Sequence, residues 1–248
     1  IFESWLSDVL TTLLNKGYID GITHYLQGLI DSQVLSKDAD VMLHVMLLHC
    51  YMQLGQYEPI ITQSTDAINK ANDVQREDYR AKVQYILGAS YYATSEYAQA
   101  IKYFKLSSET TDSPIQTIDA YMKIGKISVT IRDFEAARTY YLKASRELDV
   151  FLKSNPKDTT LNSLAGQCYE KLGELMGYSK LYSEQLRLYK QSIHYLKVAV
   201  ADESHPNYLQ HVTLLGFSTK RLAEAYKKQG GDVVGTFKEA IDTYEKVL

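Results

Sequence analysis

The chain has 248 residues, of which 45% are hydrophobic and 23% are charged, and its formal net charge is −3 with a pI near 6.1. This is the composition of a folded protein, and so small a charge gives no electrostatic reason to expect binding to nucleic acid. The 4 prolines and 13 glycines are too few for the many turns of an all-β protein, which favours an all-α protein.

Apolar residues at helical spacing divide the chain into consecutive pairs of helices. The first predicted pair spans residues 2–32, with Trp5 on its first helix and Tyr18 at the start of its second. The second predicted pair spans residues 41–72, with a turn at Gly55. We therefore expect two antiparallel helices joined by a tight turn in each segment.

The third predicted pair, residues 79–110, carries small and bulky residues at helical spacing on both helices. They are Leu87, Gly88 and Tyr91 on the first helix and Tyr97, Ala100, Phe104 and Ser107 on the second. This pattern resembles the tetratricopeptide repeat, which places Leu-Gly and Tyr on its first helix and Ala and Phe on its second. Only the aromatic residue of the first helix is missing, because Gln84 stands in its place.

The fourth predicted pair, residues 115–152, matches almost as well, and a sixth is predicted at residues 207–248. Equivalent aromatic residues at the turns are 39, 40 and 37 residues apart. These residues are Tyr18, Tyr57, Tyr97 and Phe134. The period exceeds the usual 34 residues of the family, which indicates longer helices or longer connections.

The register of the fifth predicted pair, residues 159–201, stays open at this point. Ala165-Gly166 fits the first helix, but the best second-helix match then begins near Tyr189 and leaves residues 170–188 unassigned. A competing register uses Leu172-Gly173 and Tyr182. We expect either a lengthened helix or an inserted segment near residues 170–188.

The resemblance implies one domain over residues 1–248, a right-handed α-solenoid of about six helix pairs. No single pair can bury its apolar face alone, so each must stack on the next, and the first helices should line a concave groove. Such a groove commonly holds a peptide or a protein segment. The expected function is therefore a protein-binding scaffold, an adaptor or a subunit of a larger complex.

The family's groove-facing positions are the second, fifth, ninth, twelfth and thirteenth residues of each repeat. From these positions and their surroundings we predict a partner-binding surface with an apolar and a basic part. The largely apolar part runs from Met42 to Tyr92 and contains Met42, Val45, His49, Met52, Lys82, Tyr85 and Tyr92. The more basic part contains Met122, Lys123, Lys126, Lys220 and Lys227. A partner with an apolar segment and acidic residues would suit it. The alternative is that the methionines and tyrosines are core and the lysines a solvated face.

Residues that could carry catalysis or hold a cofactor or metal are sparse. His49 and Cys50 are adjacent on a predicted helix, so their side chains point about 100° apart and are poorly placed to act together. His194, His205 and His211 lack the i, i+4 spacing of a helical metal pair. We expect no catalytic, cofactor or metal site. Some family members bind a terminal carboxylate with a lysine and an asparagine at fixed repeat positions, and this chain has other residues there.

We expect the protein to be intracellular and cytoplasmic, with the nucleus as an alternative. The cysteines fall in different helix pairs and no N-x-S/T sequon occurs, which favours a reducing compartment. The most apolar run, Val41 to Met52, is far shorter than the roughly 20 residues of a membrane span. Because the sequence starts at Ile1 and stops at Leu248 on an apolar helical residue, we expect it to be part of a longer protein.

Two other interpretations stay open at this stage. A peptide-sensing regulator would close its groove on a small ligand and change its superhelix. A different helical-repeat family could instead form the arm of a scaffold that ends in a winged helix, although no strand-like segment is visible.

Overall fold

The computed structural model describes residue 12, residues 17–32 and residues 35–247. These residues form eleven α-helices, one C-terminal 3-10 helix and no strand. The helices are α1 (Ile19–Asp31), α2 (Lys37–Gln53), α3 (Tyr57–Asp73), α4 (Glu77–Ala93), α5 (Tyr97–Thr110), α6 (Pro114–Thr130), α7 (Phe134–Ser154), α8 (Thr159–Tyr178), α9 (Tyr182–Ala199), α10 (Tyr208–Gln229), α11 (Val233–Tyr244) and the 3-10 helix Glu245–Val247. The predicted helix around Trp5 lies outside the described residues.

A three-residue turn with one recurring geometry joins the two helices of several pairs. Gly55, Ser95, Arg132 and Lys180 occupy the same place in their turns, each with a positive φ between 58° and 69°. In each turn the next N–H donates back to a carbonyl five residues earlier, as from Glu96 to Tyr91 at 2.8 Å. This is the Schellman ending of a helix, and it sends the chain back antiparallel.

Contacts between Cα atoms divide the chain into two compact units, Ile1–Ile127 and Ser128–Leu248, called unit 1 and unit 2 below. In unit 1, α2 packs on α1, α3 and α4, and α4 packs on α5. Leu47 and Cys50 belong to one apolar cluster with α1, while Leu48 and Leu87 join another with α3. The first helix of one pair therefore contacts the first helix of the next, as expected for stacked hairpins.

Unit 2 repeats this arrangement, with α8 packed on α7, α9 and α10, and α10 packed on α11. Buried serines tie helices together at equivalent places in both units. Ser192 donates to the Gly166 carbonyl at 2.7 Å, and in unit 1 Ser107 donates to the Ala81 carbonyl at 2.9 Å. Both pairs are 26 residues apart, so the two hairpins have the same internal register.

The structure of the fifth pair decides between the two predicted registers. Two continuous helices, α8 with 20 residues and α9 with 18, are joined by residues 179–181. Residues 170–178 and 182–188 therefore belong to two continuous, lengthened helices, and the prediction of an inserted segment is wrong. A Cβ built on Gly173 would lie 2.8 Å from the Tyr189 ring, just as one on Gly88 would lie 3.1 Å from Phe104. The register with Leu172-Gly173 and Tyr182 is the correct one.

None of the helices in the described ranges is long and apolar enough to cross a membrane.

Candidate partner-binding surfaces

The predicted surface residues of unit 1 lie on α2, α4 and α6, the first helices of three consecutive pairs. Those that are exposed or half-buried form what we call the first-helix face. It consists of His49, Met52, Lys82, Tyr85, Tyr92, Met122, Lys123 and Lys126. Met42 and Val45 differ, because they are only 6% and 8% exposed and pack in the core clusters of unit 1. A partner could reach these two side chains only if the core opened, so they are not included in the face.

Tyr85 joins α4 to α6 within this face. Its hydroxyl donates to the Asp119 carboxylate, and its ring meets the Phe104 ring edge-on with centroids 5.2 Å apart. Burial raises the pKa of the Tyr85 phenol well above its ordinary value, and the Asp119 charge raises it further. The phenol therefore stays protonated, and its hydrogen bond holds Tyr85 in a fixed position.

Tyr92 and Lys126 provide an aromatic ring beside a positive charge. The Lys126 ammonium lies 5.2 Å from the centroid of the Tyr92 ring, within the range of a cation–π interaction. Tyr92 is half-buried and Lys126 is exposed. On the same helix as Tyr92, Lys82 lies 5.3 Å from the Tyr79 ring. The face thus combines accessible aromatic surface with cations, and its binding of an apolar partner with acidic residues stays a prediction.

Unit 2 contains a second candidate, a polar pocket of about 170 Å³ between α8, α9 and α10. It is referred to below as the polar pocket. Its lining residues are Glu174, Gly177, Tyr178, Gln185, Tyr189, Arg221, Glu224, Ala225 and Lys228.

Oppositely charged side chains form ion pairs in and near the polar pocket. Lys171 lies 3.0 Å from Glu170 and 3.4 Å from Glu174. Arg221 lies 3.4 Å from Glu224 and 3.9 Å from Glu174, which connects α10 to α8. Burial raises the pKa of the Glu170 carboxyl, although the Lys171 charge opposes this effect. Each carboxylate of this group is therefore paired with a cation, while Lys228, which also lines the pocket, is exposed.

Gln185 forms part of the pocket wall and is only 7% exposed. Its Nε2 lies 3.4 Å from the Tyr189 hydroxyl, and burial raises the pKa of that phenol to about 12. The glycine at position 177 makes room for this amide, because a Cβ there would collide with the Gln185 Nε2 atom. The Gln185 Oε1 atom has no hydrogen-bond partner among the described residues.

Sequence reasoning missed this pocket because the register of the fifth pair was open. With Leu172-Gly173 as the repeat's seventh and eighth residues, Glu170, Glu174, Gly177 and Tyr178 fall at groove positions five, nine, twelve and thirteen. Gly173 and Tyr182 have the same separation in sequence as Gly88 and Tyr97, and this equality could have indicated the correct register.

The two predicted lysines of the last pair do not line the pocket. Lys220 lies beside it, 4.0 Å from Glu224, and Lys227 is exposed. Their contact with a partner stays a prediction. The residues of α10 that line the pocket are their neighbours Arg221 and Lys228, together with Glu224 and Ala225.

Neither cysteine has the environment of an activated nucleophile. Cys50 and Cys168 are buried, and burial raises the pKa of both thiols. Within the described residues no three His, Cys, Asp or Glu side chains come together as metal ligands.

Comparisons with known proteins identify the class of repeat. Residues 118–146 match the family model of the tetratricopeptide repeat. No curated protein sequence matches this chain.

Solved structures with low sequence identity share the fold over most of this chain. BtubC (BKLC) from P. vanneervenii has a TM-score of 0.67 at 14% identity, with 93% of this chain and 88% of that chain covered. A STAND signal-transduction ATPase with a tetratricopeptide repeat sensor, from Pyrococcus horikoshii, has a TM-score of 0.65 at 12% identity. That match covers 97% of this chain and 41% of the ATPase. The apo form of RapI has a TM-score of 0.62 at 12% identity, with 100% and 96% covered.

The predicted resemblance is thus confirmed: residues 118–146 match a tetratricopeptide repeat, and the described residues form the same successive helix pairs as these solved structures.

Proposed function

We propose that this chain is a non-catalytic interaction module that holds a segment of a partner polypeptide on the first-helix face of unit 1. The observation that carries the proposal is the contact between Tyr92 on α4 and Lys126 on α6, with the ammonium 5.2 Å from the ring. Both side chains remain accessible to a partner. An aromatic ring next to a cation suits a segment that combines apolar and acidic side chains.

The packing below the face supports this role. Tyr85 is hydrogen-bonded to Asp119 and packed against Phe104, so α4 and α6 are held in a defined relation. A surface that is already ordered loses less conformational entropy on binding than a flexible one. The expected partner lies across α4 and α6, with an apolar side chain near Tyr92 and an acidic one near Lys126.

Site-specific photocrosslinking tests the proposal. Benzoylphenylalanine replaces Tyr92 in one variant and Tyr103 in a control. Tyr103 is a half-buried tyrosine on the second helix α5, where its ring stacks on Tyr91 with centroids 5.6 Å apart. After irradiation in native extract, we expect position 92 to give one predominant polypeptide adduct that is absent at position 103. Equal adducts at both positions, or none at position 92, would contradict the proposal.

A further inference from the structure

The walls of the polar pocket contain hydrogen-bonding atoms that the protein does not use. Gln185 Oε1 and Arg221 Nε are buried and have no partner among the described residues. Both residues line the pocket. A buried polar atom without a partner is costly, so two of them in the lining of one pocket indicate a ligand.

The charges of the pocket disfavour an ionic ligand. Each carboxylate of the group lies within 4.0 Å of a cation, and Arg221 and Lys171 each pair with two carboxylates. Lys228, the other cation of the lining, is exposed to solvent. An ammonium brought into this set would add a cation without a counterion, and a carboxylate would lie beside Glu174 and Glu224, whose cations are already shared. The ligand should therefore be neutral and both donate and accept hydrogen bonds.

The number and kind of unused atoms define the ligand further. One acceptor oxygen on Gln185 and one N–H donor on Arg221 are complementary to an N–H donor and the carbonyl of a carboxamide. A carboxamide can also pair with the Gln185 amide in either orientation of that amide, because each group carries a donor and an acceptor. A carboxylate or an ammonium can pair with only one orientation.

Size points to a single side chain. The pocket volume of about 170 Å³ is well below the roughly 300–1,000 Å³ of small-molecule sites. It resembles instead the roughly 150 Å³ cavity that holds one planar ring in an engineered protein core.

We propose that the polar pocket binds the carboxamide of an asparagine or glutamine side chain presented by a partner polypeptide. That a polypeptide presents the group rests on the proposed function, whereas recognition of the carboxamide rests on the pocket alone. The partner thus has an amide side chain at the point where it crosses α8 and α10.

The test uses the 15N-labelled 248-residue chain and four capped tripeptides, Ac-Ala-Xaa-Ala-NHCH3 with Gln, Glu, Lys or Met as Xaa. We expect the Gln peptide to shift the backbone amide resonances of Gly177 and Ala225 in a saturable way, with a millimolar Kd. The Glu, Lys and Met peptides should bind at least about tenfold more weakly. Similar shifts with all four peptides, tighter binding of a charged peptide, or no saturable shift with Gln would each overturn the proposal.

A matched pair of variants assigns the effect to Gln185. Gln185→Met keeps the length of the side chain but removes its hydrogen bonds, and it should abolish the response to the Gln peptide. Gln99→Met, at an exposed position of α5, should leave that response unchanged. Crosslinking at position 92 does not involve the pocket, so failure of the interaction proposal and failure of the pocket proposal give different results.

Discussion

Gly173 on α8 lies against the ring of Tyr189 on α9, so closely that a Cβ on Gly173 would stand 2.8 Å from the nearest ring atom. Tyr189 is 3% exposed and belongs to the apolar core of unit 2. Its ring has little room to move away from an added methyl group.

Gly173→Ala is expected to destabilise the chain by about 1–3 kcal/mol, because overpacking outweighs the better helix propensity of alanine. Gly28→Ala is the control, since a Cβ at this exposed position of α1 meets nothing within 4 Å. It should stabilise by about 0.5–1 kcal/mol. Urea unfolding measures the free energy of unfolding of both variants. Equal changes of the same sign would contradict the close contact between Gly173 and Tyr189.

The link between α4 and α6 can be tested by removing one oxygen atom. Tyr85→Phe deletes the hydroxyl that donates to Asp119 and should cost about 1–3 kcal/mol, because the hydrogen bond is to a charged group and Tyr85 is half-buried. Tyr103→Phe keeps the ring stacked on Tyr91 and should change stability by less than about 0.5 kcal/mol. If the two variants unfold at the same urea concentration, the Tyr85 hydroxyl does not hold these helices together.

Glu170 should make the free energy of unfolding depend on pH. Burial raises its pKa in the folded state above the ordinary 4.5, so the folded chain binds the proton more readily than the unfolded chain. The stability that Glu170 contributes is present below pH 4.5 and is lost as the pH rises through the raised pKa. The free energy of unfolding of Glu170→Gln, relative to the unchanged chain, should therefore increase with pH over this window.

The control for this titration is Glu184→Gln. The hydrogen bond from Arg187 lowers the pKa of Glu184, so its stabilising effect is present above the ordinary pKa and is lost as the pH falls through the folded value. The stability of Glu184→Gln relative to the unchanged chain should change with pH in the opposite direction and by less, because solvent reaches the Glu184 side chain, which is 43% exposed. A Glu170→Gln curve that stays flat as the pH rises above 4.5 would contradict the burial of a titrating carboxyl.

Much of the fold could be predicted because each repeat is a local pattern. Leu87-Gly88, Tyr97 and Phe104 are close in sequence, and their spacing alone indicates two helices and the turn between them. The fifth pair was ambiguous for a physical reason. Gly166 and Gly173 are seven residues apart, about two helical turns, so both face α9 and either could be taken for the close-contact glycine.

The candidate site was less predictable, since it depends on contacts between distant residues. Tyr85 and Asp119 are 34 positions apart, and no local pattern indicates their hydrogen bond. Burial also depends on neighbours: Met42 and Val45 occupy groove positions of the family pattern but pack in the core of unit 1. The polar pocket required both the correct register and the approach of α10 to α8.

The central claim, that α4 and α6 together hold a partner, is tested most directly by reversing one charge on the first-helix face and one elsewhere. Lys126→Glu places a negative charge beside the Tyr92 ring, while Lys102→Glu does the same beside the ring of Tyr103 on α5, where the lysine lies 5.4 Å from the centroid. Titration calorimetry with the polypeptide captured at position 92 should give a Kd at least about tenfold weaker for Lys126→Glu and unchanged for Lys102→Glu. Equal affinities for the two variants would contradict the claim.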